Sequence, residues 1–94
     1  MGLLFEWDGR KAEGNRRKHG VSFAEASSVF GDLLSLTVAD PAHSAGEDRF
    51  VTIGESDQQR LLVVVHMDRD DRIRIISARR ATRRERKSHG EAIG

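Results

Sequence analysis

The chain has no cysteine and no tyrosine, and its 94 residues include one proline, two methionines and five aromatics. Without cysteine there are no disulfides and no thiolate metal sites, which fits a reducing compartment. Five aromatics make base stacking a weak basis for nucleic-acid binding. Long apolar runs are also missing. The longest, Leu61-Leu62-Val63-Val64-Val65, falls far short of the ~20 residues needed to span a bilayer. The start, Met1-Gly2-Leu3-Leu4-Phe5-Glu6, has neither a basic stretch nor a long apolar segment, so no secretion signal is expected and the expected location is cytoplasmic. No Walker or dinucleotide glycine loop occurs, and no serine nucleophile elbow. The four histidines, His19, His43, His66 and His89, match no zinc spacing, so neither metal nor cofactor is expected.

Charge is abundant and uneven. Residues 72–87 hold eight basic residues, seven of them arginine, against the single acid Glu85, a formal +7. Residues 1–71 sum to −5, which hides the asymmetry in a net charge of +1. Such a block points to a polyanionic partner. Arginine suits phosphate, because its planar fork of donors never loses its proton.

The pattern along the chain predicts one domain over residues 1–94. Leu3–Trp7 suits a short strand. Asp8 caps a helix that ends at His19, with Gly20 as its left-handed stop. Lys11, Asn15 and Lys18 share one face of that helix as a polar stripe. Ser22 and Glu25 form a reciprocal capping box for a second helix with its apolar stripe on Phe23, Ala26, Val29 and Phe30. Alternation at Leu34, Leu36 and Val38 predicts a half-buried strand, followed by a loop over residues 40–46. Residues 49–54, 60–66 and 72–77 read as three more strands, the middle one buried on both faces. Thr82 and Glu85 open a basic third helix, and residues 90–94 read as a frayed tail. The expected fold is α+β: a four-stranded antiparallel meander with a possible short N-terminal strand, two N-terminal helices packed on it and a basic C-terminal helix.

The residue types that remain fit cleavage of RNA. That reaction needs a base for the 2′-OH, a proton donor for the leaving 5′ oxygen, and cations around the phosphorane. Histidine serves either proton role near neutral pH. Lys18, His19, His66, Arg79 and Arg80 are the candidate catalytic group, with Arg79 and Arg80 holding phosphate beside the N-terminus of the third helix. Lys11, Asn15, Arg49, Arg74, Arg83 and Arg84 are candidates for holding the RNA backbone. The alternative is a non-catalytic basic module that binds nucleic acid.

Several blocks carry a family resemblance. They are Phe5-Glu6-Trp7-Asp8, Lys18-His19-Gly20-Val21-Ser22-Phe23, Glu47-Asp48-Arg49-Phe50, Arg60 through His66, and Ile73 through Thr82. In this order the chain resembles BrnT-type toxins. The resemblance implies a RelE-like ribonuclease toxin of a type II toxin–antitoxin pair, and the residue types above make a metal-independent reaction the expectation. It also implies a BrnA-like ribbon-helix-helix antitoxin as partner, and repression of their own operon by the complex. Leu33 stands where the pattern has proline, Gln59 where it has glycine, and no tyrosine stands near Lys87-Ser88-His89.

Overall fold

The structure is a computed structural model that describes residues 2–40 and 48–93. Strand β1 (Leu4–Glu6) leads into helix α1 (Gly9–His19) and helix α2 (Phe23–Ser28), which a 3₁₀ turn extends over Val29–Gly31. Strands β2 (Leu36–Ala39), β3 (Arg49–Glu55), β4 (Leu61–Arg69) and β5 (Arg72–Arg80) follow, then helix α3 (Arg83–Ile93). The predicted loop lies outside the described residues from 41 onward, His43 included.

The sheet is five-stranded and mixed, in the order β1-β5-β4-β3-β2. This corrects the four-stranded antiparallel meander. β2 to β5 do form one, but β1 joins its far edge parallel to β5, pairing Leu4 with Arg72 and Glu6 with Arg74. Parallel neighbours need a long crossover, here most of the chain, so no local alternation announces the pairing.

The caps explain the helix limits. Asp8 accepts from the backbone N–H of Arg10 and Lys11, and Gly20 closes α1 at φ 69°. Ser22 accepts from the N–H of Glu25 at 3.0 Å. The other half of that predicted box is not made, because the Glu25 carboxylate turns instead to Ser56 and Arg60. β2 begins two residues later than alternation predicts. The Asp32 carboxylate takes the N–H groups of Leu34 and Glu55, which folds residues 32–35 into a turn. β2 is also exposed along its whole length rather than half-buried, since it is the sheet's edge. Gly54 lets this turn lie close: a Cβ there would meet Ser35 and Val29 at 2.8 Å. The expected tail at residues 90–93 is the last turn of α3.

The core lies on one face of the sheet. Val21, Phe23, Ala26 and Val29 pack on Leu62, Val64, Ile75 and Ala78, with Phe5, Ala12 and Phe30 at the margin. Each large side chain buried there contributes roughly 1.5–3 kcal/mol. β4 is buried along Leu62–Val64, as its apolar run predicts. A bulge interrupts β5: Val65 pairs with Ser77, yet His66 pairs with Ile75, which leaves Ile76 extra. The extra residue resets the alternation. Ile75 and Ala78 therefore both reach the core, although they are three residues apart.

Candidate active site

β1 covers only the first third of β5's edge, and α1 runs on beside the rest. Asn15 fills the gap left by a missing strand. Its Nδ2 donates to the carbonyls of Ala78 (2.8 Å) and Val21 (2.9 Å), and its Oδ1 accepts from the N–H of Ala78 (3.0 Å). Asn15 is buried, so it leaves the predicted polar stripe, while Lys11 and Lys18 stay exposed. This corrects its reading as an RNA contact: three backbone groups already use its amide.

His66 also departs from the expected group. It is 4% exposed on the helix-covered face, edge-on to Phe30 and stacked on Phe50. Its Nε2 lies 2.7 Å from the Thr52 hydroxyl, which in turn meets Thr37. Burial lowers the imidazole's pKa and favours the neutral ring. Leu62, the partner of Arg80, is four residues away along β4, roughly 13 Å. His66 is enclosed structure, remote from Arg79 and Arg80.

The other candidates lie toward the C-terminal end of β5, where Arg80 alone of them lines a pocket. Asn15 fixes α1 against Ala78, so the last turn of α1, with Lys18 and His19, runs toward Arg79 and Arg80. Arg60 closes the corner. Its Nη2 donates to the Gly20 carbonyl at 3.1 Å, and it grips the buried Glu25 carboxylate through Nε and Nη2. Arg60 holds the Glu25 pKa below the usual carboxylate range, with help from Ser56 and the nearby charge of Arg80. Arg80 lines a pocket of about 330 Å³ together with Arg60, Arg86, Glu55, Gln59 and His89.

Arg79 and Arg80 part company there. Neighbours on a strand point to opposite faces, and they oppose Val63 and Leu62 respectively. Arg79 meets Glu85 through Nη1 and Nη2 at 2.7 and 2.8 Å. That carboxylate also accepts from the N–H of Thr82, while the Thr82 hydroxyl accepts from the N–H of Glu85. The capping box is complete, and its acid occupies the anion position that the sequence assigns to phosphate. Arg79 and the capping N–H lower the Glu85 pKa to about 2. Arg80 makes no side-chain hydrogen bond or ion pair among the described residues and is exposed.

The remaining cations are dispersed. Arg74 pairs with Glu6 at 2.9 Å. It shares the open face with Arg49, the two flanking Met67 across three strands. Arg83 and Arg84 stand exposed on α3. Arg60 and Arg86 are site residues that the sequence reading did not pick out. Arg86 lay within the basic run, but nothing local marks Arg60, which is 20 residues from Arg80. Among the described residues no three His, Asp or Glu side chains converge, and no helix is long and apolar enough to cross a membrane.

A family model described as "Ribonuclease toxin, BrnT, of type II toxin-antitoxin system" matches residues 7–85. The chain is similar in structure to the ribonuclease toxin BrnT of Brucella abortus, seen in a 1.1 Å crystal structure. The TM-score is 0.66 at 24% identity, over 87% of this chain and 100% of the other. That likeness speaks for the fold. No curated protein matches the sequence.

Proposed function

This chain belongs to the BrnT family of ribonuclease toxins of type II toxin–antitoxin systems, and from that premise we propose that it cleaves RNA at the C-terminal end of β5 without a metal. The observation that carries the reading is the unpartnered guanidinium of Arg80 in a pocket it shares with Arg60 and Arg86. A base removes the 2′-OH proton, and the 2′ oxygen attacks phosphorus. The P–O5′ bond breaks, a donor protonates the 5′ oxygen, and a 2′,3′-cyclic phosphate remains. Arg80 balances the charge that builds on the phosphorane. Arg79, neutralised by its two bonds to Glu85, ties the start of α3 to β5 beside the pocket. With His66 enclosed, the two proton roles are left to His19 and Lys18, one taking the 2′-OH proton and the other protonating the 5′ oxygen. Lys11, Arg83 and Arg84 are left to track the RNA backbone on either side.

The resemblance to BrnT-type toxins extends the proposal to RelE-like kinship, a ribbon-helix-helix antitoxin and repression of the shared operon by the complex. The test of the chemistry is RNA incubated in EDTA with the wild type and with Arg80→Ala. We expect cyclic-phosphate ends from the wild type and a rate lower by roughly 10²–10³ in the variant. A folded Arg80→Ala protein that cleaves at full rate overturns the assignment. A retarded RNA band with no cleavage by the wild type supports the binding module instead.

A further inference from the structure

A second surface is apolar rather than basic. Leu36 and Val38 on β2 are 39% and 61% exposed. Direct pairing sets them on the same face as Ile53 and Val51. α3 passes over these four side chains with Ser88 and Ala92 toward them, and leaves a groove of about 390 Å³ whose walls are almost entirely carbon. The groove opens onto a strand edge that has no partner among the described residues. Asp40 donates its N–H to the Arg49 carbonyl at 2.9 Å. In an antiparallel pair the hydrogen-bonded residues alternate, so Leu36 and Val38 face β3, whereas Thr37 and Ala39 turn their N–H and C=O groups away from it. An edge of this kind is a template for one more strand.

We propose that this edge and groove bind an extended segment of the antitoxin, which pairs with Thr37 and Ala39 as a sixth strand and inserts alternate apolar side chains beneath α3. The assignment rests on the toxin–antitoxin reading above. Charge selects the occupant. Arg83, Arg84 and Lys87 on α3 have no ion-pair partner among the described residues, so the segment carries acids beside its apolar positions. A second copy of this chain would bring two such cationic helices to one seam, which like-charge repulsion opposes. The groove adjoins the Arg80 pocket through His89 on α3, which lines both, while Val38 and the outward edge of β2 line only the groove.

The experiment uses the full chain and the antitoxin expressed from the adjoining reading frame. In the complex, the amides of Thr37 and Ala39 should exchange hydrogen at least tenfold more slowly than in the free chain. Val38→Glu puts a charge in the groove, and Ala39→Pro removes an outward donor without touching the β2–β3 ladder. Each should weaken antitoxin binding at least tenfold and leave RNA cleavage by the free variant unchanged. Wild-type affinity in both variants, with no added protection at Thr37 and Ala39, overturns the proposal. So does the lack of any complex, or a free chain that is a dimer and becomes monomeric on Val38→Glu. A chain that binds the antitoxin in this way but never cleaves RNA removes the ribonuclease reading and supports the groove.

Discussion

The helix-covered face of the sheet and the C-terminal end of β5 treat polar groups in opposite ways. On the covered face most of them are consumed, although His66 Nδ1 has no hydrogen-bond partner there. Asn15 spends its amide on three backbone groups, Glu25 binds Arg60 and Ser56, and Thr37, Thr52 and His66 form a chain. Burial enforces this, since each unsatisfied group there costs roughly 1–3 kcal/mol. At the end of β5, Arg80 and Arg86 stay exposed and unpartnered among the described residues and share one pocket. Clustered like charge of this kind works against the compact state, and an anion relieves it. The difference separates residues that make the fold from residues left for a ligand, and it divides a group that the sequence presents as one.

The widest separation should come from exchanging the two roles. Arg80→Ala should lower RNA cleavage by roughly 10²–10³ and leave the urea midpoint where it is, because its side chain is exposed. His66→Gln should do the reverse: a stability loss of about 1–3 kcal/mol, because an amide lacks the ring that packs on Phe30 and Phe50, with cleavage per folded molecule within a few-fold of wild type. A His66 variant that folds normally and loses cleavage would break the comparison. Next in size is Asn15→Ala, which deprives the N–H and C=O of Ala78 and the carbonyl of Val21 of partners. It should cost about 2–3 kcal/mol in urea unfolding. A loss near zero would mean that water reaches the edge of β5.

Acid distinguishes the regions as well. His66 titrates lower folded than unfolded, so the unfolded chain binds the extra proton. The stability it contributes is whole above about pH 6.5 and falls as pH drops below that. Glu85 behaves the same way at lower pH. Its folded pKa of about 2 against 4.5 means the Arg79 clamp is intact above pH 4.5 and lost as pH falls toward 2. Partial exposure to solvent reduces that term to about 1 kcal/mol. Urea midpoints from pH 8 to 3 should show two declines, the first absent in His66→Gln and the second smaller in Glu85→Gln, since Glu25 is held low as well.

Much of the fold was legible because its signals are local. Asp8, Ser22, Thr82 and Gly20 cap the helices that their neighbours predict, and the apolar run 61–65 is the buried middle strand. Most of the errors involve partners far apart in sequence. Nothing near Leu4 specifies Arg72, and nothing near Asn15 specifies Ala78, 63 residues on. Glu25 abandons its cap for Arg60, 35 residues away, because a buried carboxylate gains more from a guanidinium than from one N–H. The candidate site was legible as a charge block and a family pattern. Its division was not, because alternation on β5 sends Arg79 to Glu85 and Arg80 to the pocket, and the Ile76 bulge sets which face each takes.

The smallest expected effect concerns the turn beside that pocket. Gln59 sits at φ 57°, left-handed backbone that side chains with a Cβ adopt at a cost, and it is a position where glycine fits the family pattern. The turn is otherwise well made: the N–H of Gln59 donates to the Ser56 carbonyl at 3.0 Å, and Ser56 Oγ takes the N–H of Gln58. Gln59→Gly should therefore relieve strain and raise stability by about 0.5 kcal/mol, after the larger unfolded-state entropy of glycine is subtracted. Asp70, at the same φ in the β4–β5 hairpin, is the control away from the pocket. Aspartate tolerates this region better than glutamine, so Asp70→Gly should gain less. If Gln59 serves only the turn, cleavage is unchanged as the urea midpoint rises. A fall in cleavage with Gln59→Gly but not with Asp70→Gly would add Gln59 to the residues that contact RNA, because its side chain lines the Arg80 pocket.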